Sequence, residues 1–196
     1  MKHIQVKSIN ISNVSPLVII AGPCQMESRE HALMMASELM NISEKEGVPF
    51  IFKTSFDKAN RTSLSGERGI GLEKSLEIFQ EISETVGCPT LTDVHTEEQC
   101  RQVAEVVDVL QIPAFLCRQT DLLKAAGETG RVINVKKGQF LSPQEVKHIP
   151  PKIASTGNDN ILLTERGTTF GYNNLVVDMR SFPIMKQSIC VFLEEF

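Results

Sequence analysis

One repeat limits what this chain can fold into more than any other feature. Short, mainly apolar runs at 17–21, 50–53, 89–93, 106–110, 132–135 and 161–164 alternate with amphipathic stretches. The pitch is about thirty residues per unit, the size of a strand–helix unit. Runs without internal polar alternation predict strands buried on both faces, and hence a parallel sheet covered by helices. A doubly wound sheet and a TIM-type barrel both satisfy the pattern.

The helices can be placed from their ends. Residues 28–46 carry Leu33, Ala36, Leu39, Met40 and Ile42 as the candidate inner face, with Ser28 as N-cap and Gly47 as the stop. Further helices are predicted over 72–86, closed by Gly87, over 97–105, and over 119–128, before Gly130. Another is expected over 142–155, with Pro143 in its first turn and Pro150 and Pro151 limiting its length. Residues 2–14 fall outside the repeat and are expected to form a small hairpin. No linker or low-complexity stretch divides the chain, so one domain is expected over 1–196.

Composition removes several function classes. The formal net charge is −4, with no Trp and one Tyr, so neither a basic field nor a base-stacking platform supports nucleic-acid binding. No segment reaches the roughly 18 apolar residues of a membrane span. The N-terminal residues lack the apolar core of a signal peptide. The cysteines, at 24, 88, 100, 117 and 190, are odd in number and form no CxxC pair. That argues against a disulfide framework or a zinc ribbon and for reduced thiols in a cytoplasm.

Chemistry gathers where the strands end. After the first run come Gly22, Pro23, Cys24 and Glu27; the second gives Lys53, then Lys58, Asn60 and Arg61. The third gives Asp93 and His95, the fourth Gln111 and then Arg118, the fifth Asn134, Lys136 and Lys137, the sixth Glu165 and Arg166. In parallel α/β folds the C-terminal strand ends form the active face. Lys53, Lys58, Lys136 and Arg166 would converge there, and clustered cations repel one another unless an anion such as phosphate or carboxylate sits among them. Asp93 could orient a cation, a hydroxyl or a metal-bound water. Taken singly, a lysine at a strand end is ordinarily a solvated charge, and Cys24 reads as a small buried residue. His3, His31 and His148 read as surface residues and His95 as a hydrogen-bonding one. Gly66, Gly69 and Gly71 do not make a dinucleotide fingerprint.

Five long motifs carry a resemblance. IIAGPCQMES (19–28), FKTSFDKANRTS (52–63), QIPAFLCRQTDLL (111–123), NVKKGQF (134–140) and TERGTTFGYNNLVVDMRSFPIMK (164–186) resemble the 3-deoxy-manno-octulosonate 8-phosphate (KDO-8-phosphate) synthases over residues 17–187. The resemblance implies a TIM barrel, usually a cytoplasmic homotetramer. The implied reaction condenses phosphoenolpyruvate with arabinose 5-phosphate and releases phosphate, for lipopolysaccharide synthesis. The related DAHP synthases, which use erythrose 4-phosphate, usually carry Lys-Pro-Arg-Thr where this chain has Lys58, Ala59, Asn60, Arg61 and Thr62. By resemblance, Lys58, Lys136 and Arg166 hold phosphoenolpyruvate beside Gln111, with Ala114 and Arg118 in the loop at its phosphate. Lys53, Asn60, Arg61, Thr62 and Asp93 meet the sugar phosphate, and Phe115 packs at a subunit contact. Lys58, Asp93, Lys136 and Arg166 form the implied catalytic set.

Cys24 occupies the position that divides this family. Asn there marks its metal-independent class and Cys the metal-dependent one, so zinc or iron is implied. The other three implied ligands, a His, a Glu and an Asp, follow later strands of the family and have no counterpart here. The family pattern holds to Gln187, and residues 188–196 depart from it. The expectation is therefore a barrel truncated after about six βα units with an aberrant tail. Its alternatives are a non-catalytic remnant of the synthase, or a DAHP synthase-like enzyme.

Overall fold

The computed structural model describes residues 2–187 and 191–194. The chain opens with an antiparallel hairpin, β1 (His3–Val6) and β2 (Ile9–Ser12), paired from His3↔Ser12 to Val6↔Ile9. Lys7 turns it at φ 48°. The repeat follows: β3 (Ile19–Ala21), α1 (Arg29–Glu46), β4 (Phe50–Lys53), α2 (Leu72–Thr85), β5 (Thr90–Asp93), α3 (Glu97–Ala104) and β6 (Val109–Ile112). Then come α4 (Thr120–Glu128), β7 (Val132–Lys136), α5 (Pro150–Ala154) and β8 (Ile161–Glu165). A two-stranded ribbon, β9 (Thr168–Thr169) and β10 (Leu175–Val176), precedes α6 (Ser181–Met185) and β11 (Val191–Glu194).

β3 to β8 pair in sequence order, all parallel, and β11 adds to β8 with Val191 opposite Leu162. The sheet curls into part of a TIM-type barrel with its helices between the strands. Sequence order without a reversal distinguishes it from a doubly wound sheet, where the strand order switches. It has seven strands where the sequence reading had six. Of the expected aberrant tail, 191–194 form β11, whereas 188–190 and 195–196 lie outside the described residues.

Local chemistry explains the boundaries. Ser28 Oγ accepts the His31 N–H, and Gly47 closes α1 at φ 65°, its N–H bonding back to Glu44 and Ser43. The fourth strand starts three residues later than its apolar run, because Val106 and Val107 donate back to the Val103 carbonyl and prolong the end of α3. Residues 142–155 do not form one helix. A 3-10 turn over Pro143–His148 is capped by a Ser142–Glu145 capping box, and the prolines at 150 and 151 begin α5. A proline lacks the N–H a helix interior needs but fits a first turn.

Two cores result, one on each face of the sheet. The outer one lies under the helices and includes Phe52, Phe79, Leu110, Ile133, Val135 and Leu163. The inner one joins Ile4, Val6, Ile9 and Ile11 of the hairpin to Ile51, Leu91, Val109, Val132 and Leu162. The hairpin thus plugs the inner face at the N-terminal ends of the strands. That leaves the C-terminal ends of the same face for polar groups.

Candidate active site

Alternation along a strand puts residues two apart on one face. Stepping two residues from each inner-core side chain gives Lys53 after Ile51, Asp93 after Leu91, Gln111 after Val109, Asn134 after Val132 and Thr164 after Leu162. The sheet therefore carries a polar layer directly above an apolar one. Register aligns its centre, since Asp93 pairs with Gln111 and Gln111 with Asn134.

These side chains form one hydrogen-bonded chain across the sheet. Thr164 Oγ1 donates to Asn134 Oδ1 at 2.7 Å, and Asn134 Nδ2 donates to Gln111 Oε1 at 2.9 Å. Gln111 Nε2 donates to Asp93 Oδ1, and Ser55 Oγ donates to Asp93 Oδ2. Lys58 Nζ closes the chain, donating to Ser55 Oγ at 2.8 Å and lying 3.7 Å from Asp93 Oδ2. Each amide uses both of its ends, so its orientation is fixed by its neighbours.

Asp93 is the electrostatic centre. Burial by itself would push its carboxyl up; Lys53, the Ser55 and Gln111 hydrogen bonds and Lys136 outweigh burial and hold it below the usual carboxylate range. Asp93 is therefore a buried carboxylate facing cations from β4, β7 and the loop after β4. Both Lys53 and Lys136 are half-buried at the last positions of their strands.

The rim loops are pinned to this layer. Met26 N–H bonds to the Ser55 carbonyl at 2.8 Å, joining the loop after β3 to the loop after β4. Gly22, at φ 151°, allows the close approach beside them, because a Cβ there would overlap the Lys53 carbonyl oxygen. Lys58 N–H donates to the Arg68 carbonyl at 2.7 Å, and Arg68 donates through Nε and Nη2 to the two carboxylate oxygens of Asp57. Asn60, Arg61 and Thr62 are exposed on that loop, and the Arg61 guanidinium reaches Gln25 and the Glu67 carbonyl.

The sequence model of the DAHP synthetase I family matches residues 2–193. The chain belongs to the DAHP synthetase I family. The 2-dehydro-3-deoxyphosphooctonate aldolase of Brucella anthropi is 61% identical over 182 residues, covering 93% of this chain and 66% of that relative. Proteins of the same name from Brucella ovis and Brucella melitensis match with the same identity and coverage. The chain thus spans 66% of the length of these curated relatives.

In this member of the family, Lys53, Lys58, Asp93, Gln111 and Lys136 come together at the inner layer, and Arg166 directly follows the end of β8. Ala114 is buried in a 3-10 turn after β6, with Phe115 beside it largely exposed. Arg118 lies elsewhere. It lines a separate cavity of about 190 Å³ with Leu141, Glu145, His148, Ile149 and Lys152. Cys24 is exposed, not the small buried residue its type suggests. No group of three or more His, Cys, Asp and Glu that could hold a metal ion occurs among the described residues, so these residues do not by themselves fit the implied metal. His95 sets its ring edge-on to Phe56, with centroids 5.7 Å apart. Among the described residues no helix is long and apolar enough to cross a membrane.

Strand-end reasoning passed over Ser55 and Thr164, which complete the hydrogen-bonded chain. Thr164 was within reach, since it stands two residues past Leu162, as Asp93 stands past Leu91. Ser55 carries no such mark, because it lies beyond the regular end of β4.

Proposed function

We propose that this chain carries the substrate-binding part of a KDO-8-phosphate synthase, an enzyme condensing phosphoenolpyruvate with arabinose 5-phosphate and water to KDO 8-phosphate and phosphate. One observation carries the proposal. The buried Asp93 carboxylate sits within a single hydrogen-bonded layer and is ringed by Lys53, Lys58 and Lys136. The name and 61% identity of the Brucella relatives support the same substrates.

Chemically, the enol carbon of phosphoenolpyruvate attacks the sugar aldehyde, and water adds to the neighbouring carbon. Loss of phosphate from the resulting intermediate leaves the new keto acid. Negative charge moves between carboxylate, phosphate and the new alkoxide, and fixed cations that meet it lower the barrier. Lys58, Lys136 and Arg166 take phosphoenolpyruvate, with Gln111 and Ala114 beside it, and Asp93 offsets the lysines' charge and aligns them. Lys53, Asn60, Arg61 and Thr62 take the sugar phosphate, which arrives at the exposed rim. Arg118, in its outer cavity, serves the phosphate-holding loop. Cys24 would supply one thiolate to a divalent zinc or iron site, which the described residues of this chain do not complete. We further read the working form as a cytoplasmic homo-oligomer. The exposed apolar side chains Phe170, Tyr172, Leu175, Val176, Val177 and Met179 offer a face for assembly.

The test titrates the purified chain with phosphoenolpyruvate and measures phosphate release with arabinose 5-phosphate or erythrose 4-phosphate, with zinc or iron and with a chelator. The proposal expects saturable phosphoenolpyruvate binding and a preference for the five-carbon sugar. Folded protein that binds no phosphoenolpyruvate would overturn it. The lack of a metal group among the described residues favours a second reading, binding without turnover, which the release assay separates from the first.

A further inference from the structure

Along β7 and β8 the outer face of the sheet is apolar until the strands end, where it holds two charges. Alternation puts Lys137 on the side of Ile133 and Val135, and Glu165 on the side of Ile161 and Leu163. Both are buried, Lys137 to 1% and Glu165 to 2% relative exposure. Lys137 Nζ lies 3.3 Å from Glu165 Oε1. It also lies 2.7 Å from the Gly167 carbonyl, 3.2 Å from the Leu141 carbonyl, 3.3 Å from the Gly138 carbonyl and 3.2 Å from Thr168 Oγ1. Three ammonium protons thus serve five oxygens, from the loop after β7 and from residues 165–168. Glu165 Oε1 additionally accepts the N–H groups of Arg166 at 2.8 Å and Gly167 at 2.7 Å.

Neither charge belongs to the polar layer on the inner face. A buried ion pair is costly to desolvate and is weak evidence for stability, since an apolar pair of like volume often does as well. Its position offers another reason for it. Lys137 follows Lys136, and Glu165 precedes Arg166. On a strand, neighbours face opposite sides, so a tie on the outer face fixes the backbone from which the inner cations project. Alternation carries Lys136 and Arg166 to the inner side, after Asn134 and Thr164, where an anion held by both would draw two like charges together.

We infer that Lys137 and Glu165 are positioning residues whose buried pair clamps the loops after β7 and β8, setting Lys136 and Arg166 for one anionic group. The inference rests on the proposed reading only for the identity of that anion. Clamping keeps the cationic site preorganised, so ligand binding need not order it.

The test uses the full chain, with Lys137→Met, Glu165→Gln and the double variant, titrated with phosphoenolpyruvate and separately with inorganic phosphate. Thermal unfolding is recorded in parallel, with Leu163→Ala as a control that loosens β8 while leaving both clamp side chains in place. Each single variant is destabilised, because the charge left behind is buried and unpaired. The double variant regains stability, yet its anion affinity stays reduced by about tenfold to a hundredfold. Leu163→Ala loses stability while keeping affinity at temperatures where it is folded. A purely structural pair gives the opposite result, with affinity following stability and recovering in the double variant, and this outcome overturns the inference. Variants that bind as tightly as the wild type also overturn it, as does a wild type that binds neither anion. If the wild type binds phosphate but not phosphoenolpyruvate, and the double variant has lost phosphate affinity, the clamp stands and the synthase reading falls.

Discussion

β3 and β8 belong to one sheet and are built from similar residues, yet they occupy different environments. Ile161–Glu165 is buried at every position, between β7 and β11 and beneath the outer core. Ile19–Ala21 has one sheet neighbour, β4, among the described residues, and Ile19 keeps 42% of its surface exposed. Val18 and Ile20 reach the inner core only at its margin. An apolar run specifies a strand; its burial is specified by what lies on both sides. The chemistry follows the same division. The hydrogen-bonded polar layer runs through β5 to β8, while Cys24, just beyond β3, stands exposed.

The largest contrast between these regions is chemical. With an alkylating reagent at mild alkaline pH, native protein should label at Cys24. Cys88 and Cys100 should be slower by a factor of about 10³ or more, because they are reached only by opening the fold. Burial also pushes their thiols up, to about 11 for Cys88 and about 12 for Cys100, which leaves little thiolate. Peptide mapping by mass spectrometry reads the result, and equal labelling would erase the distinction between rim and core.

Stability should divide along the same line. Leu163→Ala removes a fully buried side chain and should cost about 2–5 kcal/mol. Ile19→Ala should cost clearly less in the same denaturant series, and equal losses would mean that β3 is as well covered as β8. Gly22→Ala tests the close approach just past the end of β3. It should cost about 1–3 kcal/mol and displace Lys53, because the added methyl meets the backbone of β4.

Acid sharpens the comparison further. The folded-state pKa of Asp93 is lowered, so its contribution to stability is fully present above its unfolded value of about 3.9. That contribution is lost as pH falls from there through the folded value. The stability difference between wild type and Asp93→Asn should therefore be flat near neutrality and shrink below about pH 4. A difference independent of pH throughout would mean that the carboxylate is not held charged. The smallest effect is expected at the exposed Arg180–Asp178 pair. There Arg180→Ala should leave the unfolding midpoint unchanged, since exposed ion pairs contribute little.

By itself the sequence determined the repeat, the hairpin, the helix caps and most of the chemistry-bearing positions. Each of these rests on local rules: apolar runs, Ser28 and Gly47 as caps, and Lys53, Asp93 and Gln111 at the ends of strands. Only the tertiary structure decided which side chains meet. Ser55 joins Lys58 to Asp93 because the loop after β4 folds back over β5, and no spacing in the chain encodes that contact. Lys136 and Lys137 are adjacent and chemically alike, yet one faces the inner layer and the other is buried against Glu165. Arg118 lines an outer cavity instead of joining the inner layer. The physical reason is common to all three. Alternation assigns a side chain to a face, but its partner comes from a strand or loop tens of residues away, and register and loop closure select that partner.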